Sequence, residues 1–364
     1  MSSKTLSRRE FLSAAGLAAL GAATACTSKS AANTPVPPTA TVMSTNTPVP
    51  PTATVISTNI PVPPTATVIS AITSAPPQST GAKNRVLRIA HLTDIHVLPD
   101  KVATDGMARA IRHAQNQADP PDFIVNTGDC IMESLEATKA DTEKQWDTFN
   151  GIIKAEVKLP IYHVIGNHDV WGWARDDAEV KNDPLYGKAM AVKQLGLSNR
   201  YYSFDKGGWH FVALDSTHLP NAVSEYPYIG QLDIEQFIWL GNDLAAVNPQ
   251  TPVCILSHIP ILCACEFFDG ENENSGNWVV PAAWMHIDAR TFRTLFLKQK
   301  NVKLCLSGHA HMYDDVKHLN VHYLCDGAVC GAWWSGAYLD FPPAYVMVNL
   351  YDDGTADSEF VVYT

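Results

Sequence analysis

The sequence predicts an α/β fold in which two β-sheets pack against each other and helices cover their outer faces. In the first half of the folded region, apolar strand-like runs alternate with amphipathic, helix-like segments. Later in the chain, paired strand-like runs flank glycine-containing turns, as hairpins do. Short polar clusters follow five of the strand-like runs. Together these observations favour a sandwich whose functional site collects side chains at one end of one sheet.

The elements of this sandwich follow one another in order along the chain. The first half is expected to contain strand 86–93, helix 105–118, strand 122–127, helix 140–155 and strand 160–165. The second half is expected to contain hairpin 201–216, helix 231–247, strand 252–257, helix 288–299, strand 302–307 and a closing hairpin over 344–364. Gly207-Gly208 and Asp353-Gly354 supply turn residues for the two hairpins. Apolar residues recur at helical spacing in 231–247, which predicts one buried face.

The charge balance narrows the class of ligand. The chain of 364 residues carries 26 Lys and Arg against 37 Asp and Glu, a formal net charge of −11. Because binding to a nucleic-acid backbone depends on Lys and Arg, this balance argues against a nucleic-acid-binding surface. A small phosphorylated molecule stays compatible with it, because metal ions can supply positive charge locally.

The N-terminal segment is typical of an export signal. Arg8-Arg9 precedes an apolar stretch over 11–25, which resembles a twin-arginine (Tat) signal and is shorter than the ~20 residues that span a bilayer. Cleavage after Ala23-Thr24-Ala25 would release a soluble, secreted or periplasmic protein. We favour the alternative that Cys26 carries a lipid, although Ala23 stands where lipoproteins usually have Leu. Residues 1–26 are therefore interpreted as a signal peptide of an extracytoplasmic, membrane-attached lipoprotein.

A proline-rich linker follows over 27–84. Residues 33–71 contain a nearly regular 13-residue repeat built around the motif PVPPTATV. Proline removes backbone donors and favours extended geometry, so the segment is expected to be a disordered, semi-rigid spacer. A glycosylated stalk or a ligand for a proline-binding domain is the alternative. The folded domain is expected to occupy 85–364.

The five polar clusters read D-I-H, G-D, G-N-H-D, S-H and G-H-A-H. Their candidate metal ligands are Asp94, His96, Asp129, Asn167, His258, His309 and His311. Seven side chains are too many for one tetrahedral ion and suit two ions that share a carboxylate. Mixed oxygen and imidazole ligands favour Zn, Mn or Fe over Ca, which prefers oxygen alone.

The order and spacing of these motifs resemble the calcineurin-like metallophosphoesterase superfamily over 94–311, and the resemblance extends to the domain 85–364. It implies a four-layer α/β/β/α sandwich of two mixed sheets with outer helices. It also implies a metal-dependent phosphoric ester hydrolase that acts on a small-molecule phosphoester through a hydroxide bound to two divalent or mixed-valence ions, Fe, Mn or Zn.

The same resemblance assigns a role to each residue. Asp94, His96 and His311 would hold one ion, Asn167, His258 and His309 the other, and Asp129 would bridge them. His168 would stabilise the transition state or protonate the leaving group. Asp169 would orient His168 through a ring N–H bond.

Met132 indicates which branch of the superfamily the chain resembles. Purple acid phosphatases resemble G-D-x-x-Y at this point, and methionine cannot replace that tyrosine as an iron ligand. The chain is closer to the cyclic-nucleotide and glycerophosphodiester phosphodiesterases, so diester hydrolysis is preferred. A nucleotidase-like phosphomonoesterase is the first alternative and a non-catalytic, metal-containing binding module the second. The oligomeric state is left open.

Two loops are expected to set specificity, 263–286 and 325–340. Their tryptophans, Trp278, Trp284, Trp333 and Trp334, would form an aromatic wall or simply pack. Cys254 and Cys305 lie in apolar runs and are expected to be buried. A disulfide among Cys263, Cys265, Cys325 and Cys330 is an open alternative to free thiols. Since zinc-knuckle spacing is absent, no structural zinc site is expected.

Overall fold

The computed structural model describes residues 83–220 and 224–363. The predicted signal peptide 1–26, including Cys26, and the linker 27–84 apart from its last two residues lie outside the described residues. Within the described ranges, none of the helices combines the length and apolarity that crossing a bilayer requires.

The strands appear in the following order along the chain. They are β1 (Arg85–Leu92), β2 (Phe123–Asn126), β3 (Ile161–His163), β4 (Tyr202–Lys206), β5 (Trp209–Ala213), β6 (Thr217–His218), β7 (Ile229–Gly230), β8 (Val253–Leu256), β9 (Val302–Ser307), β10 (Asp314–His318), β11 (Val321–Cys325), β12 (Ala344–Tyr351) and β13 (Ala356–Val362). The β10–β11 hairpin was not predicted, because β10 is short, charged and largely exposed and so lacks an apolar signal.

The helices connect these strands. They are α1 (Lys101–Gln115), α2 (Lys139–Glu156), α3 (Ala178–Lys181), α4 (Lys188–Gln194), α5 (Ile234–Ala246) and α6 (Ala289–Lys298), with a 3₁₀ turn at Cys265–Phe268. Helix α1 begins four residues before the predicted start at 105. The cause is a capping bond, because the Asp100 carboxylate accepts a hydrogen bond from Ala103 N at 2.9 Å.

The strands form two large mixed sheets. The five-stranded sheet has the order β13-β12-β1-β2-β3 and the six-stranded sheet the order β10-β11-β9-β8-β5-β4. The central strands β1, β2 and β3 are parallel to one another, as are β5, β8, β9 and β11. Strand β12 runs antiparallel to β1, and β13 runs antiparallel to β12. In the other sheet, β4 runs antiparallel to β5 and β10 antiparallel to β11. The short strands β6 and β7 form a separate ribbon.

Three layers of apolar packing hold four layers of structure together. Between the sheets, Ile89 and Val348 of one meet Phe211 and Leu304 of the other. Helices α1 and α2 cover the five-stranded sheet with side chains that include Met107, Ile111, Trp146 and Phe149. Helices α5 and α6 cover the six-stranded sheet with Leu240, Leu244, Phe292 and Phe296. The predicted four-layer α/β/β/α sandwich is confirmed.

Parallel strands bring their carboxyl ends to one edge of each sheet, and all five polar clusters lie there. Three clusters follow β1, β2 and β3, and two follow β8 and β9. The expectation that one sheet alone would supply the site is therefore wrong. Because the two sheets pack face to face, their carboxyl edges lie side by side and both contribute.

Candidate metal centre

The candidate ligands sit on backbone that most residues avoid. Five of the seven have positive φ: Asp94 at 52°, His96 at 46°, Asp129 at 51°, His309 at 74° and His311 at 59°. Residues with side chains rarely adopt this left-handed region, and such conformations gather at functional sites. The strand exits therefore turn abruptly enough to point alternate side chains into a common pocket.

One group of ligand atoms comes from the exits of β1 and β9. His96 Nε2 lies 3.1 Å from His311 Nε2 and 3.8 Å from Asp94 Oδ1, and His311 Nε2 lies 3.4 Å from Asp94 Oδ1. Asp129 Oδ2, from the exit of β2, lies 3.5 Å from His96 Nε2. A tetrahedral ion with bonds of about 2.1 Å places its ligand atoms about 3.4 Å apart, so these separations suit one ion.

A second group lies on the other side of Asp129. His258 Nε2 lies 3.0 Å from Asn167 Oδ1, 3.1 Å from His309 Nδ1 and 3.2 Å from Asp129 Oδ2. Asp129 Oδ2 thus belongs to both groups. Its other oxygen, Oδ1, accepts the backbone N–H of His168 at 2.8 Å, which fixes the carboxylate between the two groups.

The histidine tautomers test whether a cation fits here. A carbonyl oxygen can only accept, so three rings must donate their outer N–H. His258 Nδ1 donates to Thr127 O at 2.9 Å, His309 Nε2 to Ala283 O at 2.8 Å and His311 Nδ1 to Gly331 O at 2.6 Å. The inner nitrogens therefore present lone pairs to one another, an arrangement that a shared cation stabilises.

One buried atom supports the same conclusion. Asp94 Oδ1 has no hydrogen-bond partner among the described residues, although Asp94 Oδ2 accepts from Thr93 Oγ1 and His309 N. A buried carboxylate oxygen without a partner is costly unless an ion pairs with it. The donor set of carboxylate, amide and imidazole matches Zn, Mn or Fe.

The electrostatics of the pocket also call for positive charge. Burial acts to lower the pKa of His258, but the Asp129 carboxylate outweighs it and raises this pKa to about 9. Burial acts to raise the pKa of Asp94, but His311, His96 and His258 together hold this pKa well below its usual range. Without a metal ion, a proton on His258 therefore balances part of the negative charge of the buried carboxylates, which is the charge that a metal ion would neutralise.

Two glycines act by allowing close approach. A Cβ atom on Gly166 would lie 2.2 Å from Asp129 N, and one on Gly308 would lie 1.9 Å from Thr93 Oγ1. Neither glycine has a positive φ, so the lack of space for a side chain, and not the backbone conformation, requires glycine at these two positions. Gly128, at φ 103°, has a backbone conformation that residues with side chains rarely adopt.

His168 lies beside the first group, with a ring nitrogen within 4.8 Å of ligand atoms of His96 and Asp129. Its ring meets that of His96 edge-on, with centroids 4.7 Å apart. Nδ1 donates to Met132 O at 2.7 Å, and the Glu133 carboxylate lies 3.5 Å from the same nitrogen. Burial lowers the pKa of His168 to about 4. The ring is therefore oriented by the loop after β2 and leaves Nε2 for other contacts.

The expected bond between the His168 ring and Asp169 is wrong. Asp169 Oδ1 accepts from Cys130 N at 2.8 Å, and Oδ2 accepts from Gly166 N at 2.9 Å. Asp169 therefore ties the loop after β2 to the loop after β3 and supports the backbone around Asp129. The family resemblance implied a ring contact, but the Asp169 carboxylate binds backbone N–H groups while the His168 ring bonds Met132 O.

The two predicted specificity loops also hold the ligands in place. Ala283 and Gly331, which accept the ring N–H groups of His309 and His311, lie one in each loop. Their role was not predictable, because a backbone carbonyl leaves no mark in the residue sequence. Glu133 was missed for a related reason, since no motif position marks it.

The four tryptophans do not form one wall. Trp333 lies beside the pocket, with its ring centroid 4.6 Å from that of His311. Trp334 packs against Gly106 and donates Nε1 to His96 O at 3.0 Å. Trp284 is buried, while Trp278 is 59% exposed and contacts Phe267. Of the four, Trp333 has the position of a substrate contact.

Comparison with known proteins gives a consistent result. The chain is 26% identical over 284 residues to a 3′,5′-cyclic-nucleotide phosphodiesterase from Nostoc sp., covering 74% of this chain and 90% of that relative. It is 26% identical over 228 residues to purple acid phosphatase 22 from Arabidopsis thaliana, covering 61% of this chain and 45% of that relative. Among solved structures, a dimetal phosphatase from Danio rerio shares the fold, with a TM-score of 0.51, 15% identity, and coverage of 77% of this chain and 100% of that one.

A family model described as calcineurin-like phosphoesterase matches residues 87–313, which include all seven candidate ligands and His168. The match covers more than half of the chain. The resemblance of the five motifs is thereby confirmed, and the chain belongs to the calcineurin-like phosphoesterase family.

Proposed function

We propose that this domain hydrolyses phosphodiesters of small molecules at a centre of two metal ions. One observation carries the proposal. Asp129 Oδ2 is shared by two groups of inward-facing ligand atoms, at 3.5 Å from His96 Nε2 and 3.2 Å from His258 Nε2. A site for a single ion needs no such second group.

Each ion would have its own set of side chains. Asp94, His96 and His311 would hold one, Asn167, His258 and His309 would hold the other, and Asp129 would bridge them. When bound, two such ions neutralise phosphate charge and raise the acidity of coordinated water. Fe, Mn and Zn all suit this donor set.

In the reaction, the protein's own side chains would orient the substrate and transfer one proton to the leaving group. Because His168 Nδ1 donates to Met132 O, Nε2 is the nitrogen that would hold a proton for the leaving-group oxygen. The nearby Glu133 carboxylate would favour the charged ring. Trp333 would offer its partly exposed face to an apolar or aromatic group of the ester.

The preference for diesters rests on two observations. Met132 replaces the tyrosine typical of purple acid phosphatases, and a relative covered over 90% of its length is named a cyclic-nucleotide phosphodiesterase. A phosphomonoesterase is the second candidate, and the similarity to purple acid phosphatase 22 favours it. That similarity covers less than half of the phosphatase.

Turnover of bis-p-nitrophenyl phosphate against p-nitrophenyl phosphate separates the two candidates. The test uses protein loaded with Mn²⁺, Fe²⁺ or Zn²⁺, together with a metal-stripped control. The proposal expects a higher kcat/KM for the diester and loss of activity on stripping. A clear preference for the monoester would favour the second candidate, and a loaded protein inert to both would support a binding module.

We further propose that the domain acts outside the cytoplasm, attached to a membrane through Cys26. The twin arginines, the apolar stretch 11–25 and the proline-rich linker support this proposal. Cell fractionation of the full chain tests it. Arg8→Lys with Arg9→Lys should retain the protein in the cytoplasm, and Cys26→Ser should abolish lipid labelling. A wild-type protein found only in the cytoplasm would contradict the proposal.

A further inference from the structure

Three cysteine side chains meet beside the candidate metal centre but outside it. Cys263 and Cys265 lie in the loop after β8, and Cys325 ends β11. Their Sγ atoms all lie within 4.8 Å of one another, and those of Cys263 and Cys265 are 2.9 Å apart. All three are buried, Cys263 and Cys325 at 1% exposure and Cys265 at 8%. Nothing in the proposed phosphoester chemistry uses them.

We propose that Cys263, Cys265 and Cys325 bind one thiophilic ion, Cu⁺, in a three-coordinate site. Soft thiolate ligands select Cu⁺ and Zn²⁺. No fourth His, Cys, Asp or Glu ligand joins the three sulfurs among the residues that the structure describes. Structural zinc is almost always four-coordinate, whereas Cu⁺ accepts three ligands, so the ligand count favours copper.

The backbone around the three sulfurs is fixed from both sides. The Asp314 carboxylate accepts the backbone N–H of Cys265 at 3.1 Å and that of Ala264. Asp314 is also the partner of Cys325 in the pairing of β10 with β11. One residue therefore ties the C-A-C loop to the end of the strand that carries the third cysteine.

The surroundings suit a soft, weakly hydrated ion. Buried apolar side chains enclose the thiols, among them Ala310, Met312, Ala332 and Tyr338. Hydrogen bonds from the other two thiols lower the pKa of Cys325 well below its usual range, so it is the thiol that most readily becomes a thiolate. Binding replaces the thiol protons of the three cysteines with the ion, and no electrons are transferred.

The alternative to a copper site is a disulfide between two of the three cysteines. Oxidation would bring two sulfurs to about 2.05 Å and leave the third thiol without a role. Three sulfurs around one ion, with bonds of about 2.3 Å, lie about 4 Å apart. The Sγ atoms of Cys263 and Cys265, which are 2.9 Å apart, would have to move about 1 Å farther apart to share the ion. The convergence of a third thiol distinguishes the site from a simple cysteine pair.

The test is an anaerobic titration of the reduced full-length protein with Cu⁺ in competition with bicinchoninate. The histidine-rich centre is first filled with Mn²⁺. We expect about one Cu⁺ per chain, held against the competitor, and loss of this copper in Cys325→Ala. Cys305→Ala, which removes another buried cysteine outside the trio, should retain it. Cys265→Ser, at the most exposed of the three, serves if Cys325→Ala does not fold.

Three results would overturn the proposal. The first is no retained copper in the wild type. The second is as much copper in Cys325→Ala, or in Cys265→Ser where it is used instead, as in the wild type. The third is a disulfide joining two of the three cysteines in the protein as purified from its producing cells. Mass spectrometry of alkylated peptides detects the last. Because the readout is copper content, it does not depend on whether the domain hydrolyses phosphodiesters.

Discussion

The Glu133 carboxylate lies 3.5 Å from Nδ1 of His168, the nitrogen that also donates to Met132 O. The catalytic candidate is thus oriented by a carbonyl and faced by a carboxylate, both from the loop after β2. Asp169, its neighbour in sequence, has neither role. The environment of His168 depends on the residues that follow Asp129 in the chain.

Glu133 should make stability depend on pH. Burial raises its pKa from 4.5 to about 7. Between these values the unfolded chain loses a proton that the folded chain keeps, so the free energy of unfolding falls as pH rises and stays low above pH 7. Glu133→Gln should therefore raise the free energy of unfolding at pH 8 by about 1 to 3 kcal/mol and change little at pH 4.

Chemical denaturation of metal-stripped protein across this pH range measures the effect. The side chain of Glu133 is 28% exposed, so solvent screening favours the lower part of the expected range. Glu273→Gln, at an exposed position outside this loop, is the control. A pH-independent difference between Glu133→Gln and the wild type would contradict the assignment.

His168→Ala should separate chemistry from metal binding. His168 lies near His96 and Asp129 but is not one of the seven proposed ligands, so metal content by elemental analysis should match the wild type. The kcat for bis-p-nitrophenyl phosphate should fall by roughly 10² to 10⁴, the usual contribution of general acid–base catalysis. An unchanged kcat would remove His168 from the mechanism.

Asp129→Ala, unlike His168→Ala, should lose bound metal. Asp129 Oδ2 contacts both groups of ligand atoms, so its removal should reduce the content of metal itself as well as activity. Elemental analysis after desalting provides the measurement, with the exposed Asp119→Ala as a control. Full retention of both ions in Asp129→Ala would rule out a bridging role.

Asp169→Ala should act mainly on stability. It leaves the buried N–H groups of Cys130 and Gly166 without their acceptor, at a cost of about 1 to 3 kcal/mol for each unsatisfied group. Denaturation of the metal-loaded protein should show this loss, and Asp169→Asn, which keeps one oxygen, should lose less. If Asp169→Ala instead kept its stability and lost kcat as His168→Ala does, the result would support a direct bond between Asp169 and the His168 ring.

Trp333→Ala should change which esters are preferred. Stacking of an aromatic group on a side chain is worth about 1 to 3 kcal/mol, so kcat/KM for aryl and nucleoside diesters should fall roughly 5- to 150-fold. A diester with only alkyl groups should be much less affected. The exposed Trp278→Ala is the matched control, and metal content must be checked because Trp333 contacts His311. Equal losses for aryl and alkyl diesters would contradict a stacking role.

The sequence predicted the layers and the ligand set because both are written in residue type and spacing. Alternating apolar runs determine which faces are buried, and Asp, Asn and His at strand exits identify the pocket. It could not predict partners that act through the backbone, such as the carbonyls of Thr127, Ala283 and Gly331. These lie far from their histidines along the chain and meet them only after folding.

The other differences between the prediction and the structure concern features that local sequence patterns do not reveal. Cys325 lies 60 positions beyond Cys265, so their spacing matches no metal-binding motif, and the trio appears only when β11 pairs beside β9. The direction of the Asp169 side chain was mispredicted because sequence adjacency to His168 says nothing about which way a turn points. The hairpin of β10 and β11 lacked an apolar pattern and was overlooked for that reason.

The division of the ligands between the two sheets has a mechanical consequence. Asp94, His96, Asp129 and Asn167 leave one sheet, while His258, His309 and His311 leave the other. Each proposed ion would take ligands from both sheets and would therefore cross-link the two halves of the sandwich at one edge. Chelation should then lower the melting temperature as well as the activity. Added metal should restore both, with the activity levelling off once the site is filled and the stability continuing to rise with the logarithm of the free metal concentration.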